Sequence, residues 1–188
     1  MNLVERIKGI LLQPKMEWAK IESERGDAGY LFSNYVAIVA AIPPICTFIG
    51  TSIIGFGSYR LGIGIGLVRA VVVYVLTLVG VFVVGYIIDF LAGTFGARKN
   101  LENAMKVSAY APTAAWLAGV FNLLPVLSFL SILGLYSLYL LYTGIAVLMR
   151  PAASNALIYT IAVIVCAIVV WVVILAVPAM LFGMGMMM

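Results

Sequence analysis

Five apolar runs, each about as long as a bilayer is thick, limit what this chain can fold into. A helix needs about 20 apolar residues to cross the hydrocarbon core. Runs of that length occupy residues 33–54, 68–91, 105–124, 127–149 and 156–182. The second is valine-rich and could pass for buried strand, but its length overrules that reading. The chain is 65% hydrophobic and 10% charged, whereas a soluble domain carries about 25% charged residues. The sequence therefore predicts an all-α membrane protein. Its five transmembrane helices (residues 30–188) follow a short amphipathic, interfacial helical segment (residues 1–29).

The third and fourth runs, within Ala104–Arg150, are joined by a turn around Pro125. Ser108, Ala111, Ala115, Ala118 and Asn122 share one face of the first helix, and Gly134, Ser137 and Gly144 punctuate the second. Lipid supplies no hydrophobic force to press helices together, so stripes of small residues mark close packing. A tight antiparallel hairpin is expected, with Ala115, Gly119, Gly134 and Gly144 as packing positions.

Ahead of the spans, Met1–Leu12 places Leu3, Val4, Ile7, Ile10 and Leu11 on one side and Glu5, Arg6 and Lys8 elsewhere. Such a helix lies in the membrane interface or packs on the protein's own cytoplasmic face. The charges interrupt any signal-peptide core. Pro14–Arg25 reads as a second helix, with Pro14 in its first turn and Gly26 at its end. Trp18 is expected at headgroup level. Pro43-Pro44 falls within the first span and must kink or break it. Gly55–Gly66 reads as a flexible loop, since no strand precedes it and no P-loop lysine is present. Asn155 can cap the last span. The closing Met-rich tail is read as a flexible apolar end, because no Cys or His accompanies it.

Asp89 is the one acid inside an apolar run. It lies one helical turn after Gly85, so it faces neighbouring helices. Arg98, Lys99 and Lys106 lie beyond it on the same membrane side, and an ion pair with one of them is expected. The alternative is a protonatable or ligand-binding carboxylate.

Placing the N-terminus in the cytoplasm puts nine of the eleven basic residues inside and only Arg60 and Arg69 outside. That asymmetry sets orientation, and five crossings then leave the C-terminus outside. It also explains the net charge of +4 without a nucleic-acid partner. Cys46 and Cys166 lack metal or redox spacing. Histidine is absent, which removes Ser-His dyads and the H-E-x-x-H zinc site. With one intramembrane acid, an aspartyl protease dyad is missing too. No cofactor or metal is expected.

Pro14 with Trp18 ahead of the first span, Tyr110 and Pro112 in the third, and the run from Tyr136 to Gly144 carry a likeness to a known family. The chain resembles the Yip family, the Ypt/Rab-interacting membrane proteins and their prokaryotic relatives, over nearly its whole length. The resemblance implies five spans with a cytosolic N-terminus and an outside C-terminus. It also implies a role among membrane proteins that associate with GTPases and with one another. This chain lacks the Asp-Leu-Tyr-Gly-Pro-type stretch of the eukaryotic members, which disfavours a GTPase partner and fits a prokaryotic member. The expectation is a non-enzymatic integral membrane protein organising membrane, or binding lipid, a membrane-protein partner or a second copy of itself. The alternative is a small transporter or channel using Asp89 and the Pro43-Pro44 break.

Overall fold

The computed structural model describes residues 2–24, 27–55, 60–152 and 154–183. Arg25, Gly26, the centre of the Gly-rich loop (56–59) and the Met-rich tail (184–188) lie outside the described residues, so the readings made of them are not addressed. The described residues are helical throughout their regular structure. Two short helices, α1 (Leu3–Leu12) and α2 (Pro14–Ser23), precede the spans. Four helices are long and apolar enough to cross a membrane: α3 (Gly29–Ile54), α4 (Ile63–Ala92), α7 (Pro125–Met149) and α8 (Ala156–Gly183). The remaining crossing is assembled from α5 (Leu101–Tyr110), α6 (Thr113–Ala118) and a 3-10 extension, Gly119–Leu123.

Pro112 is the reason this crossing is interrupted. It has no N–H to give the carbonyl four residues back, and its ring excludes a continuous helix. Backbone groups freed at membrane depth need partners from within the protein. Two side chains provide them. The Thr113 hydroxyl donates to the Tyr110 carbonyl at 2.6 Å. Across the hairpin, Ser137 Oγ accepts the Ala115 N–H at 2.9 Å. The sequence suggests one uninterrupted helix over 105–124; the structure replaces it with two helical pieces stitched by hydroxyls.

The first span is also broken, as Pro43-Pro44 requires. Its helix turns at Ala40–Ala41 and resumes at Ile42. Tyr74 of α4 donates to the Ala37 carbonyl just before the break, at 2.8 Å. The second span is longer than its apolar run. It starts at Ile63, with Gly62 at its cap, so Gly64 and Gly66 belong to its first turns rather than to a loop. Gly66 is against Ser52, where a Cβ would stand 2.0 Å from the hydroxyl oxygen.

Helices α4 and α8 run antiparallel along each other. Tyr159 near the start of α8 donates its hydroxyl to the Ile88 carbonyl near the end of α4, while Gly80 lies against Val170 and Ile174. The far end of α8 therefore shares one end of the bundle with the start of α4. The other end holds α1, α2 and the connections at 93–100, 150–152 and 154–155. There Arg150 Nη2 pairs with Glu22 Oε1 at 2.5 Å, and Arg98 N–H bonds the Met149 carbonyl at 2.7 Å. Asn155 does not cap α8 with its side chain; its amide reaches the Phe95 carbonyl at 3.2 Å instead.

The small residues of the hairpin divide among three partners. Gly134 meets Ala115, with a would-be Cβ 2.9 Å from the Ala115 Cα, so these two form the expected close approach. Gly119 instead packs on Pro43 of α3, and Gly144 on the Trp18 ring of α2, at 2.7 and 2.8 Å by the same measure. The break at Pro112 rotates the rest of this crossing, and Gly119 is turned toward the first span.

Candidate functional site: a charged and aromatic knot at the N-terminal end

Helices α1 and α2 form a tight pair. Asn2 caps α1, accepting the Val4 N–H at 3.1 Å, and Pro14 starts α2 as its first helical residue, where a missing N–H costs nothing. Gly9 allows the two to touch: a Cβ there would sit 2.5 Å from Glu17 Cδ. The approach brings Arg6 of α1 to Glu17 of α2. Arg6 Nη1 bonds Glu17 Oε1 at 2.7 Å, and Nη2 bonds Glu24 Oε1. Lys20 reaches the other Glu17 oxygen at 3.2 Å. Arg6 and Glu17 are 5% and 6% exposed, so the pair is held away from water. Burial works against the Arg6 charge. The hydrogen bond to Glu24 and the fields of Tyr110, Glu24 and Glu17 outweigh it, and the Arg6 pKa is raised.

The pair is keyed into the bundle by aromatic contacts. Trp18 is fully buried, so its ring packs on protein rather than on lipid. Its Nε1–H donates to Thr143 Oγ1 at 3.1 Å, and Gly144 makes room for the ring. Tyr110 takes Trp18 edge-on at 6.3 Å and Tyr35 at 4.5 Å between ring centroids. The Arg6 guanidinium lies 5.7 Å from the Tyr110 centroid, a cation–π arrangement. Tyr35 OH is 2.8 Å from Thr113 Oγ1. Since the Thr113 proton goes to the Tyr110 carbonyl, Tyr35 is the donor. The four motif positions thus serve one construction: Pro14 starts α2, Trp18 and Tyr110 meet, and Pro112 places Thr113 under Tyr35.

Beside the knot lies a cavity of about 560 Å³, lined by Arg6, Glu24, Asp27, Tyr30, Lys106 and Tyr110 among others. Lys106 is 3% exposed. Its ammonium donates to the Glu24 carbonyl at 2.6 Å and pairs with Glu102 Oε1 at 3.0 Å.

Lys106 is therefore unavailable to Asp89, and the expected ion pair does not form. No basic nitrogen among the described residues lies within 4.0 Å of the Asp89 carboxylate, and its buried Oδ1 has no hydrogen-bond partner among them. Helix geometry explains this. The face of α5 that meets Gly85 carries Met105 and Ser108, whose Sδ and Oγ lie 2.5 and 3.0 Å from a would-be Gly85 Cβ. Lys106 sits about 100° around the helix from Met105 and points toward α2. Arg98 and Lys99 are exposed in the connection. Gly85 does admit a neighbouring helix, as its spacing from Asp89 suggests.

Sequence reasoning misses Arg6, Glu17, Glu24, Tyr35, Thr113 and Thr143. A signal for some of them exists. Arg6 stands four residues before Ile10, and Glu17-Ile21-Glu24 repeats at spacings of four and three, so these charges share stripes with buried apolar residues.

The fold and knot define a multi-pass helical membrane protein whose N-terminal helices are built into the bundle. A model of the Yip1 domain matches residues 8–174, and the chain belongs to the Yip1-domain family. The chain is 30% identical to the inner membrane protein YohC of Escherichia coli K12, over 97% of this chain and 98% of that protein. YohC of Escherichia coli O6:H1 matches to the same extent. No solved structure matches the chain. The family and its inner-membrane relatives fit the multi-pass architecture.

Proposed function

We propose that this chain is a non-enzymatic inner-membrane protein whose α1–α2 pair forms a cytoplasmic-side platform for anionic lipid and for a membrane-protein partner or second copy. The observation that carries this is the outer surface of the pair. Its inner side is fastened by Arg6, Trp18 and Ile10, while Val4, Leu12 and Met16 are 56%, 77% and 62% exposed beside exposed Lys8 and Lys15. Apolar side chains flanked by lysines suit the boundary between acyl chains and anionic headgroups. Docking on the bundle and contact with lipid are thus two faces of one helix pair. The nine-to-two distribution of basic residues favours the cytoplasm for this end.

A nitroxide at Met16 of the reconstituted full-length protein tests the platform. Relaxation by oxygen rather than by a water-soluble nickel chelate is expected; the reverse would remove the lipid contact. A reporter fused after Met188 should be active only outside the cytoplasm. The transport reading is weaker, because Asp89 lies near the N-terminal end of the bundle and Pro43-Pro44 lines the opposite half, so the two do not form one path.

A further inference from the structure

A second cavity, of about 440 Å³, opens in the half of the bundle away from α1 and α2. It lies between the broken part of α3, the start of α4, the 3-10 extension after α6, and α8. Pro43, Pro44, Trp116 and Trp171 line it, while Thr47 and Arg69 supply polarity. A cavity of this size that is mostly apolar with a few polar groups is the ordinary form of a small-ligand site.

Charge decides what fits. The chain has seven acidic residues: Glu5, Glu17, Glu22, Glu24, Asp27, Asp89 and Glu102. Glu5, Glu17 and Glu22 lie in α1 and α2, Glu24 and Asp27 in the connection from α2 to α3, Glu102 at the start of α5, and Asp89 one turn from the end of α4. All therefore belong to the end of the bundle opposite the cavity. Arg69 stands six residues into α4, about 9 Å along it, and no acidic side chain of this protein shares its end of the bundle. It is exposed, and no ion pair or side-chain hydrogen bond of Arg69 forms among the described residues. A guanidinium at the edge of an apolar cavity in a membrane calls for an anion that no side chain among the described residues supplies, and phosphate suits its planar fork.

We propose that this cavity holds one phospholipid of the leaflet opposite the N-terminal helices, its phosphate on Arg69 and an acyl chain between the proline break and the two tryptophans. The proline break lines this space directly: Pro43 and Pro44 border the cavity, and Pro43 packs on Gly119. This assignment does not rest on the α1–α2 platform and concerns the other end of the molecule.

The test uses the full-length protein in mild detergent and native mass spectrometry. Delipidated protein is titrated with dioleoylphosphatidylglycerol and, separately, with inorganic phosphate. One lipid should bind in preference to all later ones, and inorganic phosphate should not displace it. Arg69→Gln should weaken that first binding about tenfold or more, the size of a lost hydrogen bond to a charged group. Arg60→Gln, on the same end but outside the cavity, should leave it unchanged. Ala70→Phe, which fills the cavity, should abolish it with Arg69 intact. The assignment is overturned if Arg69→Gln binds like the parent, if Arg60→Gln weakens binding equally, or if phosphate alone competes. Thermal stability of Arg69→Gln equal to the parent keeps the reading independent of folding.

Discussion

Arg6→Met should detach the α1–α2 pair from the bundle. The guanidinium touches two carboxylates and the Tyr110 face, but the loss is unequal among them. Glu24 is 46% exposed in its side chain and resolvates once released. The Glu17 side chain is 8% exposed, and its Oε1 would lose its partner beneath Gly9, where water has little room. Breaking a buried pair by removing one member costs about 3–5 kcal/mol. Lys20 still holds the other Glu17 oxygen at 3.2 Å, which places the expected loss near the lower bound, about 3 kcal/mol. Adding Glu17→Gln removes the stranded charge, so the double variant should be more stable than the sum of the singles by at least about 1 kcal/mol. The folded-state pKa of Arg6 is raised. Its contribution is therefore fully present below the ordinary arginine value and is lost only as pH rises through the folded value, so the effect should be constant from about pH 6 to 9. Sodium dodecyl sulfate titration followed by intrinsic fluorescence would give the stabilities, and limited proteolysis would show whether residues 1–24 are released first. A single variant as stable as the parent, or a coupling energy near zero, would refute the keying of α1 and α2 by this charge.

The packing predicts further outcomes. Gly134→Leu should lower stability by about 1–3 kcal/mol in detergent unfolding, because its Cβ meets the Ala115 backbone, which cannot yield as a side chain would. Ser137→Ala should cost about 1–3 kcal/mol by leaving the Ala115 N–H unbonded, with Ser137→Thr recovering most of the loss in the same assay. Asp89→Asn should leave stability unchanged or raise it, since no basic group is paired with the carboxylate; a marked loss would mean Asp89 has a partner the packing does not show.

The crossings are legible in the sequence because bilayer thickness imposes a length that few other structures need. The expected orientation rests on where lysines and arginines fall and not on their contacts, so the reporter fusion after Met188 is what tests it. Long-range contacts are not. Trp18 and Thr143 are 125 residues apart, and nothing local says that a tryptophan ahead of the first span will bond a threonine in the fourth. Membrane depth alone matches Lys106 to Asp89, yet α5 turns Lys106 toward Glu24 and offers Met105 and Ser108 to the helix that bears Asp89. Pro112 stands out in the sequence only as a motif residue, and the power to split a crossing is read only into Pro43-Pro44. A single proline suffices when hydroxyls such as those of Thr113 and Ser137 stand ready to take the freed groups.

The placement of every acidic side chain at one end has a consequence for the field each end of the bundle presents. The far end offers only Arg60 and Arg69 as charged side chains, and an arginine keeps its charge throughout the physiological range. An anion approaching that end meets attraction with no acidic side chain to oppose it. At the α1–α2 end seven carboxylates stand among the lysines and arginines, and the two signs offset each other within a Debye length or so. The molecule therefore draws anions to one end and treats them almost indifferently at the other.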